Sequence, residues 1–443
     1  MSVEDDKPHS EELQDGAWVE SIAKARAPSS ANVRAHRVPS MVKEIHDYEK
    51  YYVPKVVSIG PYHFGNKKLE LVQNLKPIFT MKLLLNDKET LKFLYDKLGE
   101  PNMVQQLRNF YEEGSTGRFS DKLFTRIMLI DACFILYYIR NIFGVKYDDC
   151  EELQSHQIVY VYHDLFLLEN QVPFKVLQEV MNVLPQECVK IEEFISGNIL
   201  SCERINKKWF DLNNIDHLLH LLHCSLTKRG EDPNRKLEPP IKYTFRNVNE
   251  LADVGIQFKK SVTNSLSHIE FFRSSWWRFS ASVKIPSITV DDSTKPMLLN
   301  LLAFEMCSHN AHGSWVTSYI CFLDSLIDHP EDVKTLRKAG VLDTLESDDD
   351  VTKLFNDIGI DLVPNNLAYV EAKNKIQKHY ESWRNTSFSQ FKHEYVKSPW
   401  SFVALLGALL ALALSGVQTY YTIWSPKGEC DDLCMFLKMN HHL

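Results

Sequence analysis

Residues 121–143 read DKLFTRIMLIDACFILYYIRNIF, and this stretch decides the fold class. Leu123, Ile127, Ile130 and Phe134 recur at steps of three and four, which places them on one face of an α-helix. The same spacing runs outward through residues 69–98, 156–183 and 211–227, so helices dominate. Asn249 to Lys260 also predicts helix, and helices resume from Lys295 to about Tyr395. Between them the period changes to two: Ile269 and Phe271, then Phe279, Ala281, Val283 and Ile285, then Ile288 and Val290. That alternation predicts a small antiparallel β-meander. The expected fold is mainly α, a large helical body with this β element inside it.

The punctuation of the chain suggests its organisation. Residues 1–36 are polar and loosely ordered, apart from one short amphipathic helix candidate, Trp18 to Lys24. A charged, Pro-containing stretch from Lys228 to Pro240 opens a linker over 228–248. It separates lobes of about 37–227 and 249–395, which together make the body, 37–395. No internal repeat is evident.

The other end is unlike the rest. From Ser398 to Pro426 there is no charged residue. Trp400 to Trp424, as a helix, would run roughly 37 Å, enough to cross a hydrocarbon core. Its six Leu, two Val and one Phe favour the bilayer by roughly 3–5 kcal/mol. Pro399 suits the first helical turn after Ser398, and Trp400, Tyr420, Tyr421 and Trp424 sit where aromatic belts form. The expectation is one transmembrane helix over 398–424 with a short tail, 425–443, and a single-pass protein whose partner is the lipid bilayer. Arg384, Lys392 and Lys397 precede the span; Lys427 and Lys438 follow it. With no apolar leader behind the acidic start of the chain, this favours a cytosolic body in the manner of a tail anchor. The sequon Asn385-Thr386-Ser387 does not argue otherwise. Gly407, Ala411 and Ser415 recur every four residues, which motivates a homodimer through the span.

Composition narrows the function classes. The chain has 443 residues, 44% of them hydrophobic, so it can bury a sizeable core. Lys and Arg number 50 against 58 Asp and Glu, a formal charge of −8. A nucleic-acid partner is therefore not expected. The nine cysteines (Cys133, Cys150, Cys188, Cys202, Cys224, Cys307, Cys321, Cys430 and Cys434) are widely spaced with no C-x-x-C. They read as buried thiols of a reducing compartment, with Cys430 and Cys434 as tail thiols open to acylation or pairing.

No phosphate loop, dinucleotide fingerprint, nucleophile elbow or H-E-x-x-H is present. His217, His220 and His223 fan over one helix face and could hold a soft cation. The leucines between them supply a buried face, which makes the histidines its solvent side. His441 and His442 are a tail feature. Asp348 to Asp350 after Ser347 reads as an N-cap, and Asp291-Asp292 as a turn. Gly60-Pro61 reads as a turn and Asn170-Gln171 before Pro173 as a helix end. Glu169, Asn170 and Gln171 with Tyr62 and His63 are the alternative, a ligand site. No catalytic, cofactor-binding or metal residue is assigned, and no cofactor is implied.

Several blocks carry a resemblance. Trp18 to Ile22, Arg37-Val38-Pro39, and Tyr52 through Gly60-Pro61-Tyr62-His63 come first. Asp131-Ala132-Cys133-Phe134-Ile135-Leu136 and Asp164 through Glu169-Asn170-Gln171-Val172-Pro173-Phe174 follow. Asn300 to Glu305, Thr317 to Asp328, Ser398-Pro399-Trp400 and Gln418-Thr419-Tyr420 complete the series. In that order they resemble the plant "domain of unknown function 247" family over nearly the whole chain. Phe64, Tyr137 and Lys175 depart mildly from its pattern. The resemblance implies a plant membrane protein with one C-terminal span and no established catalysis. Some grass members are similar in role to male determinants of pollen self-incompatibility. The expected function is thus a membrane-anchored interaction or recognition protein, in signalling or pollen–stigma recognition, at the plasma membrane, with an unknown protein partner and not an enzyme. The alternative is an uncharacterised hydrolase-like enzyme, with His63, His163 and Glu169 as its candidate side chains.

Overall fold

The computed structural model describes residues 33–45, 47–143, 152–185, 189–197, 212–227, 239, 246–273, 281–307, 313–382, 399–424 and 435–439. The helix candidate at Trp18 to Lys24, the sequon, most of the 228–248 linker, Cys150, Cys188, Cys202, Cys430, Cys434, Phe279 and His441-His442 lie outside them.

Helices α1 Ser40–Ile45, α2 Tyr48–Tyr51, α3 Glu70–Leu83, α4 Lys88–Leu98 and α5 Pro101–Asn109 open the chain. There follow α6 Asp121–Tyr137, α7 Ser155–Asp164, α8 Phe174–Met181, α9 Ile191–Gly197, α10 Leu218–Thr227 and α11 Val248–Asp253. Strands β1 Ile256–Lys260, β2 Glu270–Arg273, β3 Ala281–Ile285 and β4 Ile288–Val290 precede α12 Thr294–Cys307 and α13 Trp315–Asp324. The chain then forms α14 Pro330–Lys338, β5 Leu342–Thr344, α15 Asp348–Gly359, α16 Val370–Tyr380 and α17 Pro399–Ile423.

Contacts divide the chain into two compact units, Met1–Lys228 with Asp291–Thr317, and Arg229–Val290 with Ser318–Leu443. The expected lobes were continuous in sequence; here 291–317 belongs with the first unit. Its α12 is buried from Met297 through Glu305, as an apolar helix must be when neighbours surround it.

In the first unit α6 is the central helix. Ser120 caps it, accepting from the Leu123 backbone N–H at 3.3 Å, and Asp121 complements the dipole in the first turn. From Phe124 onward it is almost wholly buried, and α3, α4 and α8 pack on it. Asp87 caps α4 in the same way.

In the second unit β3 is the middle strand, parallel to β1 and antiparallel to β2, while β4 and β5 form a separate parallel pair. Within the alternating stretch β2, β3 and β4 are strands as expected, but they are not a meander. Only β2 and β3 form the antiparallel pair; β1 inserts beside β3 from upstream. The helix expected over Asn249 to Lys260 is likewise cut short. It ends at Asp253, Gly255 takes φ +84°, and Ile256 and Phe258 turn alternately inward as β1. Buried polar side chains close this unit: Asp332 accepts from the Asn249 side chain at 2.7 Å, and Tyr319 Oη donates to the Pro286 carbonyl at 2.6 Å. The N-cap of α15 is Ser347, and the Asp291 turn donates Ser293 N–H to its own carboxylate, both as expected.

Helix α17 has 25 residues, and none of the window Leu406–Ile423 is buried. It is long and apolar enough to span a membrane.

Candidate functional site

The expected helix end at Asn170-Gln171 falls elsewhere. Helix α7 stops at Asp164, and residues 165–173 run as buried irregular chain. Buried backbone without a ladder needs side-chain partners. Gln171 Nε2 donates to the carbonyls of Leu165 and Leu167, each at 2.8 Å. Asn170 Nδ2 donates to Asp164 O and Val57 O, while its Oδ1 accepts from Ile59 N–H at 2.6 Å. From α12, Asn300 Oδ1 accepts from Leu168 N–H at 2.8 Å.

The same hardware holds the segment 55–60. Asp164 accepts from the backbone N–H groups of Lys55, Val56 and Val57 at 2.7–3.1 Å. Asp131 Oδ2 accepts from Gly60 N–H at 2.8 Å, and its Oδ1 lies 2.5 Å from the Lys76 ammonium, which also donates to the Ser58 carbonyl. Lys76 and Asp131 are fully buried. Gly60 takes φ +74°, and a Cβ there would sit 2.4 Å from the Gln171 carbonyl oxygen, so the expected turn is a glycine requirement.

This scaffold presents Tyr62 and His63 differently. Tyr62 Oη donates to Ala35 O at 2.7 Å and accepts from Glu112 N–H at 3.2 Å, with the Arg37 guanidinium over its ring at 4.7 Å. His63 turns towards Glu169, Nε2 to Oε2 at 3.5 Å. Glu169 is 1% exposed and already engaged: Val38 N–H donates to Oε1 at 2.9 Å, Tyr48 Oη to Oε2 at 2.8 Å, and Lys43 Nζ lies at 3.4 Å. Cys307 Sγ approaches the Arg37 carbonyl at 3.6 Å.

Burial sets the protonation states. It lowers His63, against the opposing charge of Glu169, so the imidazole is neutral at neutral pH and the contact is not an ion pair. Burial and the Glu169 charge together hold the Tyr48 phenol well above its ordinary value. The Cys307 thiol is pushed up to about 12 by burial, with Glu112 and Glu169 adding to it. Of the ligand-site alternative, the structure therefore brings together His63 and Glu169 with Tyr48 and Lys43. It sends Tyr62, Asn170 and Gln171 to backbone partners. His163 lies elsewhere on α7, against the rings of Tyr160 and Tyr162, and burial lowers it.

His217, His220 and His223 are not on a solvent face: all three are buried around the Phe304 ring, at 5.4–5.6 Å between centroids. Phe304 of α12 covers the histidine side of α10, which the Leu and His alternation did not reveal. His223 Nε2 meets Glu305 Oε1 at 2.7 Å, His220 pairs with Asp216 at 3.1 Å, and burial draws His217 down to about 3. Glu305 also accepts from the N–H groups of Val316 and Thr317, the first turn of α13. Among the described residues no group of His, Cys, Asp and Glu is placed to hold a metal ion.

A family model described as "Plant protein of unknown function" matches residues 35–414. The chain belongs to the domain of unknown function 247 family. Among curated relatives, the UPF0481 protein At3g47200 of Arabidopsis thaliana is 26% identical over 428 residues, 85% of this chain and 83% of that protein. The putative UPF0481 protein At3g02645 of the same plant is 26% identical over 193 residues, 42% of this chain and 35% of its own. No solved structure matches. In this member of the domain of unknown function 247 family, Asp131, Asp164 and Asn170 share one task, the holding of 55–60. Reasoning from sequence missed the Lys76–Asp131 pair and Glu305. The available signal was a lone acid amid an apolar run, which burial tolerates only with a partner.

Proposed function

We propose that this protein is a membrane-tethered recognition protein whose body binds a partner without catalysing a reaction. One observation carries it: the buried carboxylates of the first unit are spent on backbone and cation partners. Glu169, the best-placed acid, takes two hydrogen bonds and faces Lys43 while almost fully covered. A general acid or base needs access to its substrate. The apolar helix α17 supports tethering; the plasma membrane, a cytosolic body and self-association through Gly407, Ala411 and Ser415 are further parts of the proposal. Cell-surface signalling, pollen–stigma recognition among its forms, is the setting that suits such a protein.

Proximity labelling from the full chain in plant cells tests the reading. It should return cytosolic-face plasma-membrane neighbours; a lumenal set would end it.

A second reading rests on His63, a neutral imidazole beside a carboxylate, the form a general base takes. It expects the full chain to hydrolyse a generic ester or glycoside, and His63→Gln to remove that activity about a hundredfold or more. Absence of turnover on such a panel favours recognition.

A further inference from the structure

Helices α3, α4 and α6 enclose a cleft of about 370 Å³ in the first unit, away from the Glu169 cluster. Its walls are apolar: Pro77 from α3, Leu91 from α4, Leu129 and Ile130 from α6. Pro77 stands inside α3 and supplies no N–H to the helix, which leaves that turn short of one bond beside the cleft. The rim is cationic, made by Lys88, Lys92 and Arg126. None of the three has a carboxylate within ion-pair distance among the described residues, and no Asp or Glu lines the cleft.

That placement opposes local preference. The chain carries −8 overall, yet three uncompensated cations converge on one apolar opening. Lys88 occupies the first turn of α4, where positive charge opposes the helix dipole. Lys88 and Lys92 stand four residues apart, where like charges repel by a few tenths of a kcal/mol. An anion seated between them relieves all three costs, and an apolar tail fills the walls below.

We propose that this cleft binds an anionic amphiphile with a single alkyl chain, its carboxylate or phosphate head held by Lys88, Lys92 and Arg126. A volume of about 370 Å³ lies near the lower end of ligand sites and suits one short alkyl chain. This binding is independent of whether the body is a recognition protein or an enzyme.

The test uses the full chain in phosphatidylcholine nanodiscs with a photoactivatable decanoate analogue, and peptide mapping of the adduct. Labelling should concentrate on the peptides carrying residues 77–95 and 126–130. Excess decanoate or a single-chain lysophosphatidate should suppress it, and decanol should not. Suppression by either head supports the site and shows which head it prefers. The surface reversals Lys88→Glu, Lys92→Glu and Arg126→Glu should each cut labelling by about tenfold, the loss of one charge-assisted contact. Lys353→Glu, an exposed position outside the cleft, should leave it unchanged. Labelling spread along the chain, indifference to the reversals, or equal suppression by decanol would overturn the proposal. So would displacement by an acidic amphipathic peptide where decanoate fails, since the cleft would then be a protein groove.

Discussion

At the residue scale, function in this fold is mostly restraint. Asp164 is the clearest case, one carboxylate facing three consecutive backbone N–H groups. Asp164→Ala would leave those donors buried and unmet, at a cost of about 3–5 kcal/mol in urea unfolding of the full chain. Burial pushes the carboxyl up to about 6, above the unfolded value of roughly 4. A folded pKa raised in this way gives stability that is complete below about pH 4 and lost as pH rises through about 6. Asp164→Asn cannot ionise, so wild type should lose about 2–3 kcal/mol relative to it between pH 4 and pH 7. Parallel stability curves for the two proteins would refute this. His63 acts with the opposite sign: burial lowers it, so its contribution is present above about pH 6.5 and fades as pH falls below that. Glu169→Ala frees Val38 N–H and Tyr48 Oη together. Hydrogen exchange should then rise across residues 38–48 while α6 stays protected.

At the element scale, the segment 55–60 behaves as a part clamped from three sides, by α6, α7 and the loop before α8. Gly60→Ala meets both a left-handed φ and a carbonyl oxygen at 2.4 Å. It should destabilise by about 2–4 kcal/mol, seen as a lower urea midpoint with an unchanged slope. The pair α10 and α12 gives a second case. Glu305→Gln keeps the size of the side chain but weakens its hold on His223 and on the first turn of α13. It should cost about 1–3 kcal/mol, and faster exchange at Val316 and Thr317 would report it.

At the scale of the whole molecule, α17 is the apolar helix left uncovered, since none of its window Leu406–Ile423 is buried among the described residues. The full chain should stay with membranes through alkaline carbonate washing, and a chain lacking 399–424 should move to the supernatant. Retention of the shortened chain would place the membrane contact elsewhere. Helix dominance, the β-forming stretch after residue 268, the cap at Ser347 and the apolar span were all legible in the sequence. Each depends on periodicity or on neighbours within a turn, and those are local properties. Strand order, the burial of His217, His220 and His223, the partners of Asp131 and Asp164, and the cationic cleft were not. They depend on contacts between residues well separated in sequence, 71 positions for Gly60 and Asp131 and 82 for His223 and Glu305, and only tertiary packing decides which distant backbone donor or apolar wall a side chain meets.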